Sequence, residues 1–426
     1  MTLAWVLLLL LGMIGLGVPI AFALVGVSIT ILALADVDMI VVAQRLYRGV
    51  QSFPLVAVPL FILAGQVMNR SGISGHLVDF ARTLVGQMRG GLAAVNIVTS
   101  MLFAGMSGTS MSDTAAVGGI MIPSMIRRGF DRAFSAAVTA ASSTIGIIIP
   151  PSVPMVILAA YMGASTGALF AAGLIPGLLL GLGLILMAWL VSRRRGYPAE
   201  AAFNLGALAR ALVKAAPALL MPLIILGGIL GGVFTPTEAS AVAVVYGIAV
   251  SVFYYRTLGL RDLYAVFVES AVLSGAVMLV TATAHVMGYT FTYEQLADAV
   301  LGPIAESDLG PTAFLAVASI VFIIAGTFLD GIAMMFIIVP LFLPIIEVLG
   351  IDPVHFAMVV IICWGIGQQT PPVGAALFIT SVIARVDLIS LTRANLPFMF
   401  VMLVILALVI VFPEIMVLWA PGLFGL

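Results

Sequence analysis

Two aspartates lie in apolar surroundings, close to small and hydroxyl-bearing residues. Asp113 ends the segment GMSGTSMSD, which also carries Ser107 and Ser110. Asp330 follows Thr327 in the run GTFLD. A carboxylate in such surroundings is costly and is a functional candidate by default. Oxygen ligands of this kind suit a coupling cation such as Na⁺. Alternatively, each aspartate caps a helix, and capping does not exclude a role in ion binding.

Two pairs of adjacent prolines interrupt long apolar segments. Pro150 and Pro151 stand in GIIIPPS, and Pro371 and Pro372 stand in GQQTPPV. Paired prolines remove two backbone donors and stop a helix, so both sites are candidate mid-span breaks. The backbone carbonyls freed at a break suit Na⁺, and the helix that starts after the break presents an N-terminus that suits an anion.

Further polar residues near these segments could face the same cavity. The alternative is that they form hydrogen bonds between helices, which is common for serine and threonine in membranes. His285, in another apolar segment, is more typical of a packing histidine than of a proton relay. The candidates for the cavity are Asn96, Ser142, Ser143, Thr144, Gln368 and Gln369.

The composition predicts an integral membrane protein. Of 426 residues, 63% are hydrophobic and 8% are charged, with a mean hydropathy of +1.28. A soluble domain carries about 25% charged residues, so lipid must solvate much of this surface. The net charge of −1 argues against a nucleic-acid partner. The single cysteine, Cys363, excludes an internal disulfide.

The arginines predict the topology, because positive charges mark cytoplasmic breaks between spans. Arg89 and Arg127 both lie at such breaks, so the segment between them leaves and returns to one side. It is too short for two full spans and fits a re-entrant hairpin. Residues 3–34 fit one tilted helix or two short ones. The first predicted domain is 1–192, with a cytoplasm-facing hairpin at 90–126 and a broken helix at 133–163. A cytoplasmic loop is predicted at 193–211. The second predicted domain is 212–426, with a periplasm-facing hairpin at 311–348 and a broken helix at 355–384.

The two halves carry the same motifs in the same order. Each has an aspartate ten residues before a proline, and then a glycine four residues before a proline pair. In opposed topology this indicates an inverted repeat, which is typical of secondary transporters. The predicted fold is therefore an all-α polytopic membrane protein with two re-entrant hairpins and two broken helices. The matching residues are Asp113, Pro123, Gly146 and Pro150, and then Asp330, Pro340, Gly367 and Pro371.

The chain resembles the large, DctM-like membrane subunit of TRAP transporters (tripartite ATP-independent periplasmic transporters), within the ion transporter superfamily. The resemblance covers the chain nearly end to end. The matching stretches are GVPIAFAL at 17–24, FPLVAVPLFILAGQVMNRSGI at 53–73, GMSGTSMSDTAAVG at 105–118, ASSTIGIIIPPSVPMVILA at 141–159, GGVFTPTEASAVAVVYG at 231–247, FLDGIAMMFIIVPLFLPI at 328–345 and GQQTPPVGAALF at 367–378.

The resemblance implies an elevator-type, Na⁺-coupled transporter of small organic acids in the bacterial or archaeal inner membrane, with no enzymatic activity. It implies two partners: a small four-helix membrane subunit on a separate chain, and a periplasmic substrate-binding protein. The implied substrates are C4-dicarboxylates, sialic acid, sugar acids or keto acids. The implied ion ligands are Ser107, Ser110, Asp113, Gly146, Pro150, Thr327, Asp330 and Thr370. The substrate-binding residues that we expect are Asn96, Ser143, Thr144, Gln368, Gln369 and Pro371.

Three other functions compete with this interpretation. A stand-alone anion carrier of the same superfamily would need no partner proteins. An intramembrane serine protease would use Ser107 in the GxSG sequence GMSG with His285 as its base, although so short a motif occurs by chance. A channel would need oligomeric symmetry, and the inverted repeat favours alternating access instead.

Overall fold

A computed structural model describes residues 3–200, 203–295 and 310–419, in which every regular element is helical. Eight of these helices are long and apolar enough to span a membrane, or nine spans if one bent pair is counted as a span. The helices are α1 (Leu3–Gly15), α2 (Ile20–Leu34), α3 (Ile40–Val50), α4 (Ala57–Arg70), α5 (Ile73–Val85), α6 (Gly91–Ser107), α7 (Ser110–Arg127), α8 (Arg132–Ser143), α9 (Ile145–Ile148), α10 (Val153–Met162), α11 (Thr166–Arg195), α12 (Leu205–Leu230), α13 (Pro236–Ala249), α14 (Leu260–Tyr293), α15 (Pro311–Phe328), α16 (Gly331–Val348), α17 (Pro353–Gly367), α18 (Ala375–Ala384) and α19 (Leu388–Val411).

Two helix–turn–helix units stand where the sequence predicts hairpins. Helices α6 and α7 join through a turn at Gly108 and Thr109, and α15 and α16 join through Leu329 and Asp330. The oxygen of Thr109 accepts the backbone N–H of Ser112, and a carboxylate oxygen of Asp330 accepts that of Ile332. Each turn therefore ends in an N-cap that starts the second helix. Re-entry of these hairpins into the membrane stays a prediction.

The two proline pairs interrupt helices, as the sequence predicts. Helices α8 and α9 meet α10 at a bend of 43° across residues 149–152. Helix α17 is separated from α18 by residues 368–374. The peptide bonds Pro150–Pro151 and Pro371–Pro372 are both cis. Both breaks place backbone outside helical hydrogen bonding; residues 150–152 are buried, whereas Pro371, Pro372 and Val373 are exposed.

The structure defines the helix boundaries in two segments, 3–34 and 193–211. Residues 3–34 form two helices, because Gly17 adopts a φ of +85° and Pro19 caps α2. The segment predicted as a loop at 193–211 is shorter, since α11 continues to Arg195 and α12 begins at Leu205.

The helices pack in two groups. One group holds α2, α3 and α4 against α13 and α14, with α12 on α13. The other group holds both hairpins and both broken helices together with α11 and α19. Helix α5 contacts both α6 and α12, and the groups also contact each other directly where α4 meets α6 and α14 meets α16. The sequence-based division into domains at 192 and 212 stays a prediction, and this packing runs across it.

Candidate functional site

A cavity of about 300 Å³ lies where both hairpin turns meet both broken helices. Its walls come from the start of α7, the start of α10, the start of α16 and the end of α17, and helices of the first packing group close it. The lining residues are Ile20, Ile62, Thr109, Ser110, Met111, Val153, Pro154, Leu273, Ala276, Val277, Val280, Asp330, Ile332, Ala333, Trp364 and Gln368.

The electrostatics of the cavity come from helix ends, because no lysine or arginine lies among the lining residues. Ser110 and Val153 begin α7 and α10 and line the cavity, as do Asp330 and Ile332 on either side of the first residue of α16. An α-helix carries partial positive charge and free N–H groups at its N-terminus. Three such ends at one cavity favour a negatively charged ligand. Asp330 is the only acidic lining residue and caps one of the three ends.

Each hairpin turn is tied to the break of its own half. The carbonyl of Gly108 accepts the backbone N–H of Val153 at 3.2 Å, and the carbonyl of Thr327 accepts that of Gly374 at 3.5 Å. Each hydrogen bond joins the turn of a hairpin to the chain that leaves a proline pair. The turn and the break therefore form one unit in each half.

Backbone oxygens converge around Gly374 in the second half. A Cβ atom at this position would lie 3.0 Å from the carbonyl oxygen of Thr370 and 3.3 Å from that of Gln368. The carbonyl of Thr327 is also close, through its hydrogen bond to Gly374. The hydroxyls of Thr327 and Thr370 donate to Ile323 and Ile366 within their own helices. A hydroxyl that donates keeps its oxygen lone pairs, so these carbonyl and hydroxyl oxygens both have the chemistry of Na⁺ ligands.

The first half brings together four of the predicted residues. Ser110 and Ser143 share a hydrogen bond of 3.2 Å between their hydroxyls. Ser107 donates to the carbonyl of Thr109 at 3.5 Å, and a Cβ atom at Gly146 would lie 3.3 Å from the same oxygen. These contacts place serine hydroxyls beside a backbone carbonyl at the turn of the first hairpin. Pro150 lies at the adjoining break.

Asp113 lies deeper, outside the cavity lining. It is fully buried, and neither of its carboxylate oxygens has a hydrogen-bond partner in the described part of the chain. Asn96, on α6, donates to Thr139 on α8 at 2.6 Å and is likewise fully buried. Asp113 is the fourth residue of α7, whereas Asp330 is an N-cap. The alternative that both aspartates cap helices therefore holds for Asp330 alone.

A second buried network joins the two halves away from the cavity. Gln369 donates to the hydroxyl of Thr144, and Asn395 on α19 donates to Gln369 at 3.0 Å. None of these side chains lines the cavity, and neither do Ser143 and Pro371. Of the predicted substrate-binding residues, only Gln368 does.

Sequence reasoning missed Trp364 in the cavity and Asn395 in the network. Each had a weak signal. Trp364 stands four residues before Gln368 and so shares its helix face. Asn395 is an uncharged polar residue inside the apolar span of α19.

The residues of the protease hypothesis are not arranged as a catalytic pair. Ser107 donates to the carbonyl of Thr109, and His285 pairs through Nδ1 with the carbonyl of Thr281. The imidazole of His285 contacts the ring of Tyr161 edge-on, at 5.2 Å between centroids. A nucleophile and its base would be hydrogen-bonded to each other, and these two side chains are not.

The fold is that of known membrane transporters. The solved structure of the YdaH transporter of Alcanivorax borkumensis aligns with a TM-score of 0.65 and 16% identity over 88% of each chain. That of MtrF from Neisseria gonorrhoeae aligns with a TM-score of 0.60 and 14% identity, over 87% of this chain and 83% of that one. At such low identity the likeness concerns the fold alone.

The family is shown by sequence. The profile of the family described as "Tripartite ATP-independent periplasmic transporter, DctM component" matches residues 6–415. The C4-dicarboxylate TRAP transporter large permease protein DctM of Pseudomonas aeruginosa is 40% identical over 88% of this chain and 87% of its own length. The sialic acid large permease protein SiaM of Vibrio cholerae is 37% identical over 97% of both chains. The isethionate permease protein DctMQ of Oleidesulfovibrio alaskensis is 38% identical over 94% of this chain and 63% of its own.

The chain therefore belongs to the DctM component family of tripartite ATP-independent periplasmic transporters. It is a multi-pass protein of the bacterial inner membrane and a transporter component, which confirms the resemblance seen in the sequence. The protease hypothesis is wrong, because the members of this family are permeases. The family implies a small membrane subunit and a periplasmic binding protein as partners.

Proposed function

We propose that this chain carries a small organic acid together with Na⁺ across the inner membrane, after a periplasmic binding protein delivers the acid. The observation that carries this proposal is the cavity at which both hairpin turns and both helix breaks meet. A site built from discontinuous helices of two repeats is the arrangement in which secondary transporters bind substrate and ion together.

The acid occupies the cavity because helix N-termini surround it. The starts of α7, α10 and α16 supply N–H groups and partial positive charge without a lysine or arginine. The named relatives carry C4-dicarboxylates, sialic acid and isethionate, all of which are small acids. These acids share a negative charge, which is the feature that the three helix ends recognise. Gln368 is the one predicted substrate-binding residue that lines the cavity.

Na⁺ binding is coupled to acid binding because the cation offsets the negative charges of the acid and of Asp330. Asp330 lies in the cavity wall, so an anion that enters meets a carboxylate unless a cation stands between them. We assign that cation to the carbonyl oxygens around Gly374, which include the carbonyl of Thr327, three residues before Asp330. The hydroxyls and carbonyls at the first hairpin turn provide a second place. The proposed ion residues are Ser107, Ser110, Asp113, Gly146, Pro150, Thr327, Asp330 and Thr370.

Transport moves one packing group against the other, as in an elevator. The hairpins enter the membrane without crossing it, and they move with the broken helices, α11 and α19. The hydrogen bonds of Gly108 and Thr327 hold each hairpin to its break, and Gln369 holds the two halves together. The contact of Tyr161 on α10 with His285 on α14 lies between the groups and must break when they slide.

Reconstitution tests this function. Liposomes are prepared with this chain, its small subunit and the cognate binding protein, and the uptake of radiolabelled succinate and sialic acid is followed with and without an inward Na⁺ gradient. We expect uptake of an acid only when all three proteins and the gradient are present. Uptake by this chain alone would show a stand-alone carrier, and uptake independent of Na⁺ would remove the ion from the mechanism.

A further inference from the structure

The cavity has one wall without polar side chains. The first packing group forms this wall, which we call the apolar wall, and every residue that it contributes to the described lining is aliphatic. The polar lining residues all belong to the second packing group, on the hairpins and the broken helices. The described lining is therefore polar on one side only. The residues of the apolar wall are Ile20, Ile62, Leu273, Ala276, Val277 and Val280.

Helix α14 contributes most of the apolar wall. Its four lining residues have the spacing i, i+3, i+4 and i+7, which places them on one face of the helix. They lie in the middle of α14, where the backbone N–H and C=O groups are bonded within the helix. This face therefore offers a ligand aliphatic side chains and no free backbone group. The four residues are Leu273, Ala276, Val277 and Val280.

The apolar wall is incompletely covered by the protein itself. Leu273 is 42% exposed and Ala276 is also exposed, although both line the cavity. Burial of aliphatic surface is favourable in proportion to the area that leaves water. A hydroxyl or a second carboxylate placed against this wall would instead lose its water without gaining a partner. The wall therefore favours a ligand whose body is aliphatic.

The opposite side of the cavity suits a single carboxylate. The starts of α7, α10 and α16 lie there and supply partial positive charge. A carboxylate at these helix ends leaves the rest of the ligand to face the apolar wall. The cavity volume of about 300 Å³ is at the lower end of the range for small-molecule sites, so that body must be compact.

We propose that the transported acid is a compact monocarboxylate with an aliphatic body, which lies against the apolar wall while its carboxylate lies at the helix N-termini. This inference rests on the proposed function and narrows its substrate from small organic acids to this class. The apolar wall discriminates against dicarboxylates, whose second charge would face Val277 and its neighbours, and against acids that carry several hydroxyls.

Direct binding to the membrane complex tests the substrate class without the selectivity of the binding protein. The purified complex of this chain with its small subunit is titrated calorimetrically, in constant NaCl, with acetate, propanoate, butanoate and pentanoate. These acids differ by one methylene each. Succinate is the matched comparison for butanoate, because it has the same four carbons and a second carboxylate.

Leu273→Ala shortens the apolar wall, and Leu279→Ala is its matched control. Both leucines lie on α14 and have similar exposed fractions, 42% and 44%, and only Leu273 of the two lines the cavity. Because both side chains are exposed, neither truncation removes a buried core residue. We expect Leu273→Ala to shift the preference towards longer acids, and Leu279→Ala to leave the series unchanged.

We expect the dissociation constant of the wild type to fall about threefold to fourfold with each added methylene, as burial of one such group predicts. Succinate should bind at least about tenfold more weakly than butanoate. A flat series, tighter binding of succinate than of butanoate, or equal series in both leucine variants would overturn the inference. If Na⁺-dependent uptake of succinate or sialic acid accompanies such a result, the proposed function stands and the substrate class is wrong. If no acid binds and none is taken up, the proposed function itself fails.

Discussion

Thr109 and Asp330 occupy the same position in the two halves of the protein. Each is the N-cap of the second helix of its hairpin, and each stands 41 residues before the first proline of a cis proline pair, Pro150 or Pro371. An alignment of Asp113 with Asp330 does not preserve this correspondence, because Asp113 lies four residues, or about one helical turn, after the N-cap Thr109. The predicted repeat therefore pairs a neutral cap with a charged one, and only the second half contributes a carboxylate to the cavity lining.

Asp330→Asn tests the role of this charge in Na⁺ binding. Asparagine caps helices as well as aspartate does, so folding should change little. Removal of the charge should raise the Na⁺ concentration for half-maximal uptake by about tenfold or more. The measurement is acid uptake in proteoliposomes against Na⁺ concentration.

Asp387→Asn is the matched control for this prediction. Asp387 caps α19 through Ser390 at an exposed position outside the span, and those hydrogen bonds hold the pKa of its carboxyl below the ordinary value. It is therefore a charged cap remote from the cavity, and its loss should leave Na⁺ activation unchanged. Equal Na⁺ activation in both variants and the wild type would remove Asp330 from the ion site.

Gly374→Ala tests the carbonyl cluster of the second half. Gly374 has a φ of +45°, and alanine there would be strained by about 1–2 kcal/mol and would press on the carbonyl oxygen of Thr370. Gly163→Ala introduces similar strain at a φ of +70° with no atom nearby. We expect both variants to lower the thermal midpoint, and only Gly374→Ala to weaken Na⁺ activation. Normal Na⁺ activation in Gly374→Ala would contradict a cation site at these carbonyls.

Thr144→Val tests whether the network around Gln369 is structural. The substitution keeps the shape of Thr144 and removes the hydroxyl that accepts from Gln369, which should cost about 1–3 kcal/mol of stability. Thr30→Val removes an exposed hydroxyl bonded only within its own helix, and it should cost little. Thermal unfolding of the purified complex measures both. An unchanged midpoint with weaker acid binding would instead place Thr144 at the substrate.

Glu200→Gln tests an ion cluster at the predicted cytoplasmic end. The carboxylate of Glu200 is 8% exposed and lies 2.9 Å from Arg82 on α5 and 3.6 Å from Arg128 after α7. Loss of this charge should cost about 1–3 kcal/mol, because two arginines lose a buried partner. Glu269→Gln breaks the exposed pair with Arg70 and should cost less than about 1 kcal/mol. Equal thermal midpoints in the two variants would refute a special role for Glu200.

A crosslink tests the sliding of the two packing groups. In a Cys363→Ala background, cysteines replace Tyr161 and His285, whose rings contact each other between α10 and α14. Bridging them with Hg²⁺ should abolish uptake, because the groups can no longer separate, and a thiol reagent should restore it. The control pair replaces Phe322 and Phe356, which contact each other within the second packing group, and should tolerate the bridge. Full uptake after bridging of the first pair would contradict the elevator.

Most of the architecture follows from local sequence rules. Proline pairs stop helices wherever they stand, so both breaks were predictable, and residues 311–348 form a helix pair with the predicted ends. Both hairpin turns carry residues that favour N-caps. The identity of the N-cap of α7 was not predictable, because Thr109 and Asp113 are both residues that favour this position. Only the packed turn selects Thr109.

The site was less predictable, because it depends on which faces of distant segments meet. Ser110, Asp330 and Gln368 reach the cavity, whereas Asn96, Thr144 and Gln369 turn to neighbouring helices and bond there. Their sequence signals are alike: polar residues in apolar segments. Only the rotation of each helix within the bundle distinguishes them.

The sequence by itself determined that this is a membrane protein, and it predicted two related halves that each have a hairpin and a broken helix. Composition, charge placement and proline act locally, so they need no knowledge of the packed chain. The tertiary structure decided that the turns of both hairpins and the ends of both breaks share one cavity, and that Trp364 lies in its wall beside Asp330. Contacts between residues hundreds of positions apart depend on the packing of the whole bundle, and no local pattern encodes them.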